Sequence, residues 1–438
     1  MALSTNPYKG ARDFYPEDKR VQKFMFNTMR RVIESFGYQE YDAPIVEPIE
    51  LYLSKTSEEI VQEQTYNFLD RGERHVTLRP EMTPTVSRMV AARRQELAYP
   101  LRWYSIPNLW RYERPQHGRL REHWQLNVDL FGMSGLEADH EIILVADSIL
   151  KTFGAKRDMY EIKVNSRALI NWMLLEHLRL DYAQAAALTR LIDRMHKMPE
   201  KEFAGHVDAL LGPAQKDAGV LKQLMSLLKV KKISELPLVT QQHPAVAELQ
   251  RLMKMLDESG VKNAVFDITL MRGFDYYTNI VFEVFDADPE NNRSMFGGGR
   301  YDGLVSLFGV EPVATVGFGM GDVTLQNFLQ SHHLLPAIHP ETDAVAILIG
   351  DVYTKAQKSL KAMRAEGARI AVDATERKID AKIKAAAKAD VPFVIFIGEE
   401  ELENQRFKMK NLNTGQEHEH SLERIVSILD ARHQPDDL

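Results

Sequence analysis

Between Glu17 and Phe36 apolar residues recur at Val21, Phe24, Met29, Val32, Ile33 and Phe36, the spacing of one helix face, and Gly37 marks its stop. An extended stretch punctuated by Pro44 and Pro48 follows over Tyr41 to Ile49, then a run from Tyr66 to Leu78 split by Asp70, Arg71 and Gly72, which predicts a hairpin. Strands are expected at Leu101 to Ile106, Leu109 to Glu113 and Trp124 to Phe131, and helical periodicity returns from His140 to Phe153. Ala168 to Gly260 then reads as helices alone, with its clearest patterns at Ala168 to His177, Tyr182 to His196 and Ala245 to Glu258. Strand patterns resume at Val265 to Leu270 and Asn279 to Phe285; a glycine-rich turn is expected at Gly297 to Gly299 and a helix from Asp322 to Leu329. Beyond the linker at 334–342, strand and helix alternate through Ala344 to Ile349, Lys355 to Glu366, Arg369 to Val372, Ile379 to Ala389, Phe393 to Ile397 and Leu422 to Ala431. That alternation predicts a small α/β domain with a largely parallel sheet, whereas the hairpin-rich first part predicts an antiparallel one. The fold class is therefore α+β, with an inserted helical module and a C-terminal α/β domain.

Composition narrows the class without identifying the chemistry. No apolar run approaches the ~20 residues of a membrane span, and the first fifteen residues lack the apolar core of a signal peptide. The absence of cysteine rules out disulfides and thiolate metal sites and fits a cytoplasmic setting. With 55 Lys and Arg against 62 Asp and Glu, the net charge is -7, so any nucleic-acid contact has to be local.

Such a local site is visible between Trp110 and Asp129. Strand alternation puts Arg111 and Glu113 on one face, and Gln125, Asn127 and Asp129 on one face of the next strand, with Leu126, Val128 and Leu130 turned to the core. Such a face either meets water or floors a polar ligand site. Between the strands Arg111, Arg114, Arg119 and Arg121 fall within eleven residues, a density suited to phosphates. A second cluster, Thr77 to Pro84, holds Glu81 and Thr83 between two prolines and reads equally as a turn into a helix. A third, Arg272 to Thr278, gathers a guanidinium, Asp275 and the phenols Tyr276 and Tyr277; a surface turn with one packed tyrosine explains it as well. Two glycine clusters complete the set. Gly297 to Gly303 suggests close backbone approach, while the alternate glycines Gly317, Gly319 and Gly321 run into a helix whose start suits either a phosphate or tight packing. Neither is a dinucleotide-binding or P-loop motif, and no histidine cluster has metal-ligand spacing, so no metal site made of protein alone is expected.

Taken in series, these segments resemble the histidyl-tRNA synthetase family of class II aminoacyl-tRNA synthetases. The helix ending at Gly37 with the Pro44 segment is similar to the class's first, dimer-forming motif, and Arg111-Tyr112-Glu113 to its second. Thr77 to Thr83, Gln125 to Asp129, Arg272 to Tyr277 and Gly297 to Asp302 resemble patterns of the histidine enzymes. The resemblance implies a catalytic domain at 1–167 and 261–333, a helical insertion at 168–260 and an anticodon-binding domain at 343–438. It implies ATP with Mg2+, L-histidine and histidine tRNA as ligands, a homodimer, and no membrane. By the same resemblance Arg111 holds the α-phosphate and Glu113 the adenine amino group. Glu81, Thr83 and Gln125 receive the histidine ammonium. Asp129 and Tyr277 take the imidazole with Tyr276 beside it, and Arg272 meets the carboxylate and the α-phosphate in the transition state. Arg114 and Gln116 would reach the tRNA acceptor end.

One position departs from the family. Its third motif continues from the glycines into a Glu-Arg pair whose arginine grips the γ-phosphate, where this chain has Val323-Thr324. Either Arg119, Arg121 or another cation replaces it, or the chain is a histidine-binding regulatory paralogue of a histidine-biosynthesis enzyme. Asp322, at the same helix start, would by itself oppose an anionic ligand.

Overall fold

In the computed structural model, which describes residues 3–53, 64–114, 118–271, 276–291 and 294–431, the alternating segment Glu122–Phe131 lies inside a nine-stranded sheet. The chain divides into two compact units, Met1–Phe14 with Gln22–Leu335 and Tyr15–Val21 with Pro336–Leu438. Among the described residues no helix is long and apolar enough to cross a membrane.

The first unit holds β1 (Gln39–Glu40), β2 (Val46–Pro48), β3 (Tyr66–Leu69), β4 (His75–Leu78), β5 (Leu101–Ser105), β6 (Asn108–Trp110), β7 (Glu122–Phe131), β8 (Tyr160–Ser166), β9 (Ala264–Phe266), β10 (Ile280–Asp286), β11 (Ser294–Arg300) and β12 (Thr315–Gly321). The large sheet runs β1-β5-β7-β12-β11-β10-β8-β9, with β6 beside β7, and its middle from β5 through β8 is antiparallel throughout, as the hairpins predict. The predicted hairpin at 66–78 forms as β3 and β4 in a separate three-stranded sheet with β2. On β7, Leu126, Val128 and Leu130 are buried in the core, which also takes Ile142, Ile143, Val145 and Ile149 of the helix Leu136–Thr152. Arg300 pins the start of that helix: its Nη2 donates to Asp139 Oδ2 at 2.5 Å and to the Gly135 carbonyl at 3.0 Å.

Three expectations change here. The strand after Asn108 ends at Trp110, because its partner β7 pairs with it only as far as Glu122; Arg111 to Glu113 lie beyond it. Gly297 to Gly299 are not a turn but the middle of β11, paired with Gly319 to Gly317. Gly298 and Gly299 are there for clearance rather than for reversal of the chain. The strand β8, Tyr160–Ser166, is a further element beyond those expected, with Tyr160, Ile162 and Val164 buried in alternation with Glu161 and Lys163.

From Arg167 to Glu258 all the regular elements are helices, from Arg167–Trp172 and Tyr182–Asp193 through Glu200–Leu210 and Val220–Leu227 to Pro244–Glu258. The second unit carries β13 (Ala344–Leu348), β14 (Ile370–Asp373), β15 (Phe393–Ile397), β16 (Arg406–Asn411) and β17 (Glu417–Ser421) in the order β14-β13-β15-β16-β17. The first three are parallel, as expected; β16 and β17 add an antiparallel hairpin, β16 turning Phe407 and Met409 inward between exposed charged residues and β17 forming the polar edge strand that the alternating His418 and His420 suggest. Its core includes Val352, Leu360, Met363, Ile395, Phe407 and Leu429.

Candidate active site

A polar cavity of about 240 Å³ opens over the face of β7, β12 and β11 opposite the core. Direct cross-strand partners share a face, so the pairs Gln125 with Gly321, Asn127 with Gly319 and Asp129 with Gly317 put three polar side chains beside three positions that have none. Gly317 and Gly319 are required by that arrangement. A Cβ on Gly319 would lie 2.9 Å from the Gln125 amide carbon, and one on Gly317 would collide with Asp129 Oδ1 and sit 3.2 Å from the Tyr301 hydroxyl. Glu81 and Thr83 enter from the start of the helix Thr83–Ala92, Tyr276 and Tyr277 from the segment before β10, and Arg111, Glu113 and Arg119 from the connection between β6 and β7. Segments far apart in sequence therefore converge on one lining.

Asp129 is the electrostatic centre of the inner end. Its Oδ1 accepts a hydrogen bond from the Tyr301 hydroxyl, and its Oδ2 is buried without a hydrogen-bond partner. Removal from water pushes its carboxyl up to about 7, against the opposing effect of the Tyr301 bond. Burial and the neighbouring carboxylate keep Tyr301 well above the usual phenol range, so it stays a donor. Beside it the Tyr276 hydroxyl donates to Glu81 Oε2 at 3.3 Å, and the rings of Tyr276 and Tyr277 pack at 4.9 Å. His123, also in the lining, is pulled down to about 3 by burial first and then by the charges of Arg111 and Arg12, so its ring is neutral.

The outer end is cationic. Arg111 is oriented by its Nε, which donates to the Pro80 carbonyl at 2.8 Å, and Arg119 Nη1 lies 3.5 Å from Glu113 Oε2. Arg121, expected to be able to meet phosphate, is not among the lining residues: its Nε donates to the Glu113 carbonyl at 3.1 Å, its Nη1 donates to the Tyr8 hydroxyl at 3.1 Å, and its guanidinium lies 4.0 Å from the Tyr112 ring centroid. Packing between aromatic rings makes it a brace for the loop. Arg114 is exposed, while Gln116 and Arg272 lie outside the described residues.

At the third-motif position Val323 and Thr324 both line the cavity, and Thr324 Oγ1 is spent on the Met295 carbonyl at 2.8 Å. Asp322, just before them, is buried and tied to Arg12. Sequence reasoning missed Tyr301, His123 and Arg12. Tyr301 stands in the quoted Gly297 to Gly303 cluster, where its place immediately after the glycine strand was the available signal; nothing local singles out the other two. Among the described residues no three His, Asp or Glu side chains gather where a metal could be held. The arrangement can hold a zwitterion bearing a hydrogen-bonding ring at the acid-phenol end, with an anionic group against the guanidinium groups.

Comparisons with known proteins point to one family. Residues 10–322 match the family profile described as Histidyl-tRNA synthetase, and residues 343–432 that described as Anticodon binding domain. The chain is 41% identical over 412 residues to the Histidine--tRNA ligase of Leptospira biflexa serovar Patoc, covering 94% of each chain. It is 37% identical over 426 residues to that of Thermoplasma volcanium, covering 96% of this chain and 97% of the relative. Its fold is similar to that of a crystal structure of histidyl-tRNA synthetase from Nostoc sp. PCC 7120, with a TM-score of 0.82 at 21% identity over 98% of this chain and 100% of the other.

Proposed function

Because this chain belongs to the histidyl-tRNA synthetase family, we propose that the cavity activates L-histidine with ATP and that the activated residue passes to the 3' end of histidine tRNA. The observation that supports this most is the convergence of Glu81, Asp129, Tyr276 and Tyr277 with Arg111 in one lining. Glu81, Thr83 and Gln125 hold the substrate ammonium. Asp129 accepts from one imidazole nitrogen through the oxygen that has no protein partner, and Tyr277 donates to the other. The substrate carboxylate oxygen attacks the α-phosphorus, and pyrophosphate leaves with its bonding pair. Arg111 and Arg272 offset the charge that accumulates on the phosphoryl oxygens, an interaction worth most when the donors are preorganised. Glu113 takes the adenine amino group and Arg119 the outer phosphates. In the second step a terminal ribose hydroxyl of the tRNA attacks the histidyl carbonyl and AMP departs, with Arg114 and Gln116 near the acceptor end. Mg2+ accompanies the nucleotide, whose phosphate oxygens supply ligands of the hard kind it prefers.

The domain assignment follows the same reading: a catalytic domain at 1–167 and 261–333, a helical insertion at 168–260, a linker at 334–342 and an anticodon-binding domain at 343–438, working as a cytoplasmic homodimer. Histidine-dependent exchange of pyrophosphate into ATP tests the first step directly. Exchange dependent on histidine and on no other amino acid supports the reading; histidine binding without exchange would move the chain to the regulatory class.

A further inference from the structure

The loss of the third-motif arginine leaves Asp322 between the lining residues Gly321 and Val323, at the first residue of the helix Asp322–Ser331. An uncompensated carboxylate there would repel a polyphosphate. It is not uncompensated. Arg12 Nη2 donates to Asp322 Oδ2 at 2.6 Å, and the Trp124 backbone N–H donates to Oδ1 at 3.0 Å. The Asp322 side chain is 4% exposed and that of Arg12 24%, so solvent screens the pair little.

Arg12 is brought there by the segment that carries it. The Gly10 carbonyl accepts from the Arg121 backbone N–H at 2.8 Å and from that of Glu122 at 3.2 Å, and the Phe14 ring meets the Trp124 ring edge-on at 5.2 Å. Gly10 has a φ of +89°, and a Cβ there would lie 2.7 Å from Arg121 Cγ, so this crossing is built for glycine. The N-terminal segment thus lies against the start of β7, the strand that supplies Gln125 and Asp129. Arg12 Nε is buried with no hydrogen-bond partner, so the guanidinium has spent only part of its capacity.

We infer that Arg12 is a positioning residue for the nucleotide: by neutralising Asp322 and holding its carboxylate on the Trp124 amide, it keeps the triphosphate end of the cavity net positive in a chain without the third-motif arginine. Arg12 is not itself in the lining and acts through Asp322. The inference rests on the proposal that the cavity takes ATP.

The test separates charge from structure. Arg12→Ala is expected to raise the KM for ATP about tenfold in pyrophosphate exchange and to leave the KM for histidine within about twofold, since the ion pair lies at the nucleotide end. Adding Asp322→Asn to Arg12→Ala removes the stranded carboxylate and should recover most of that loss, and Arg12→Lys should stay close to the parent. Asp322→Asn alone should bind ATP with Mg2+ at least as tightly as the parent in calorimetry, which keeps the inference testable if Arg12→Ala does not fold. An unchanged KM for ATP in Arg12→Ala, an equal rise for both substrates, a double variant no better than the single one, or a tenfold loss in Asp322→Asn each overturns it. A parent chain without any histidine-dependent exchange overturns the functional reading instead, and the two failures are thereby distinguished.

Discussion

The Tyr301 hydroxyl donates to one carboxylate oxygen of Asp129, while the other oxygen is buried with no partner of its own. One side of the carboxylate is thus fixed, and the other is left for a ligand. Because burial holds its proton up to about pH 7, far above the usual carboxylate range, the empty site prefers the neutral acid. The native state then binds more protons than the unfolded chain between about pH 4 and 7, so stability falls as pH rises through that window and levels off above it. Asp129→Asn should remove this slope, measured as melting temperature against pH. In the parent the KM for histidine should fall as pH rises through 7 and the acceptor becomes ionised, beyond what titration of the substrate imidazole near 6.5 produces. A parent and variant with the same pH profile would remove Asp129 from the imidazole subsite.

Arg119 and Arg121 should separate cleanly. Arg119 lines the cavity beside Glu113, so Arg119→Ala should raise the KM for ATP about tenfold, roughly 1.4 kcal/mol, with little change in melting temperature. Arg121→Ala removes a guanidinium packed on Tyr112 and bonded to Tyr8 and the Glu113 carbonyl. Its first effect should be a lower melting temperature, with about 1 to 2 kcal/mol lost through stacking and hydrogen bonds, and any kinetic defect should extend to both substrates. Melting curves and the two KM values measured together decide it.

Gly317→Ala places a methyl group against Asp129 Oδ1 and 3.2 Å from the Tyr301 hydroxyl. It would also lie 2.6 Å from the Val128 backbone carbonyl of the neighbouring strand, so the pairing of β12 with β7 has to give along with the Asp129 to Tyr301 bond, and stability should fall by about 1 to 3 kcal/mol. Histidine-dependent exchange should drop at least tenfold. The same substitution at Gly303, where a Cβ would meet nothing within 4 Å, serves as the control and should leave exchange near the parent rate.

Arg272→Ala should lower the exchange rate about 100 to 1000 fold while thermal melting stays near the parent, as expected of a cation aimed at transition-state charge. Retention of activity within a few fold would take Arg272 out of the chemistry. The effect should fall on turnover more than on either KM, since charge accumulates on the α-phosphate only as the adenylate forms.

What the amino-acid sequence determined by itself was whatever local periodicity and residue chemistry encode. The helix Pro16–Ser35, the β3-β4 hairpin, the alternating strand Glu122–Phe131 and the helical run from Arg167 to Glu258 follow from spacing, because a helix or strand declares its buried face within a few residues. Glu81, Asp129, Tyr276 and Arg111 were legible as candidates for the same reason, as chemistry-bearing types in dense clusters. Only the tertiary structure decided what those residues face. It turned Gly297 to Gly299 from a turn into strand, because the need for glycine there comes from neighbouring strands rather than from chain reversal. It divided two arginines of one loop into a cavity residue and a brace, since the rings of Tyr8 and Tyr112 that hold Arg121 arrive from different parts of the chain. It joined Arg12 to Asp322 across 310 positions, a pairing no local pattern carries, because charge compensation depends on distance in space and on exclusion of water.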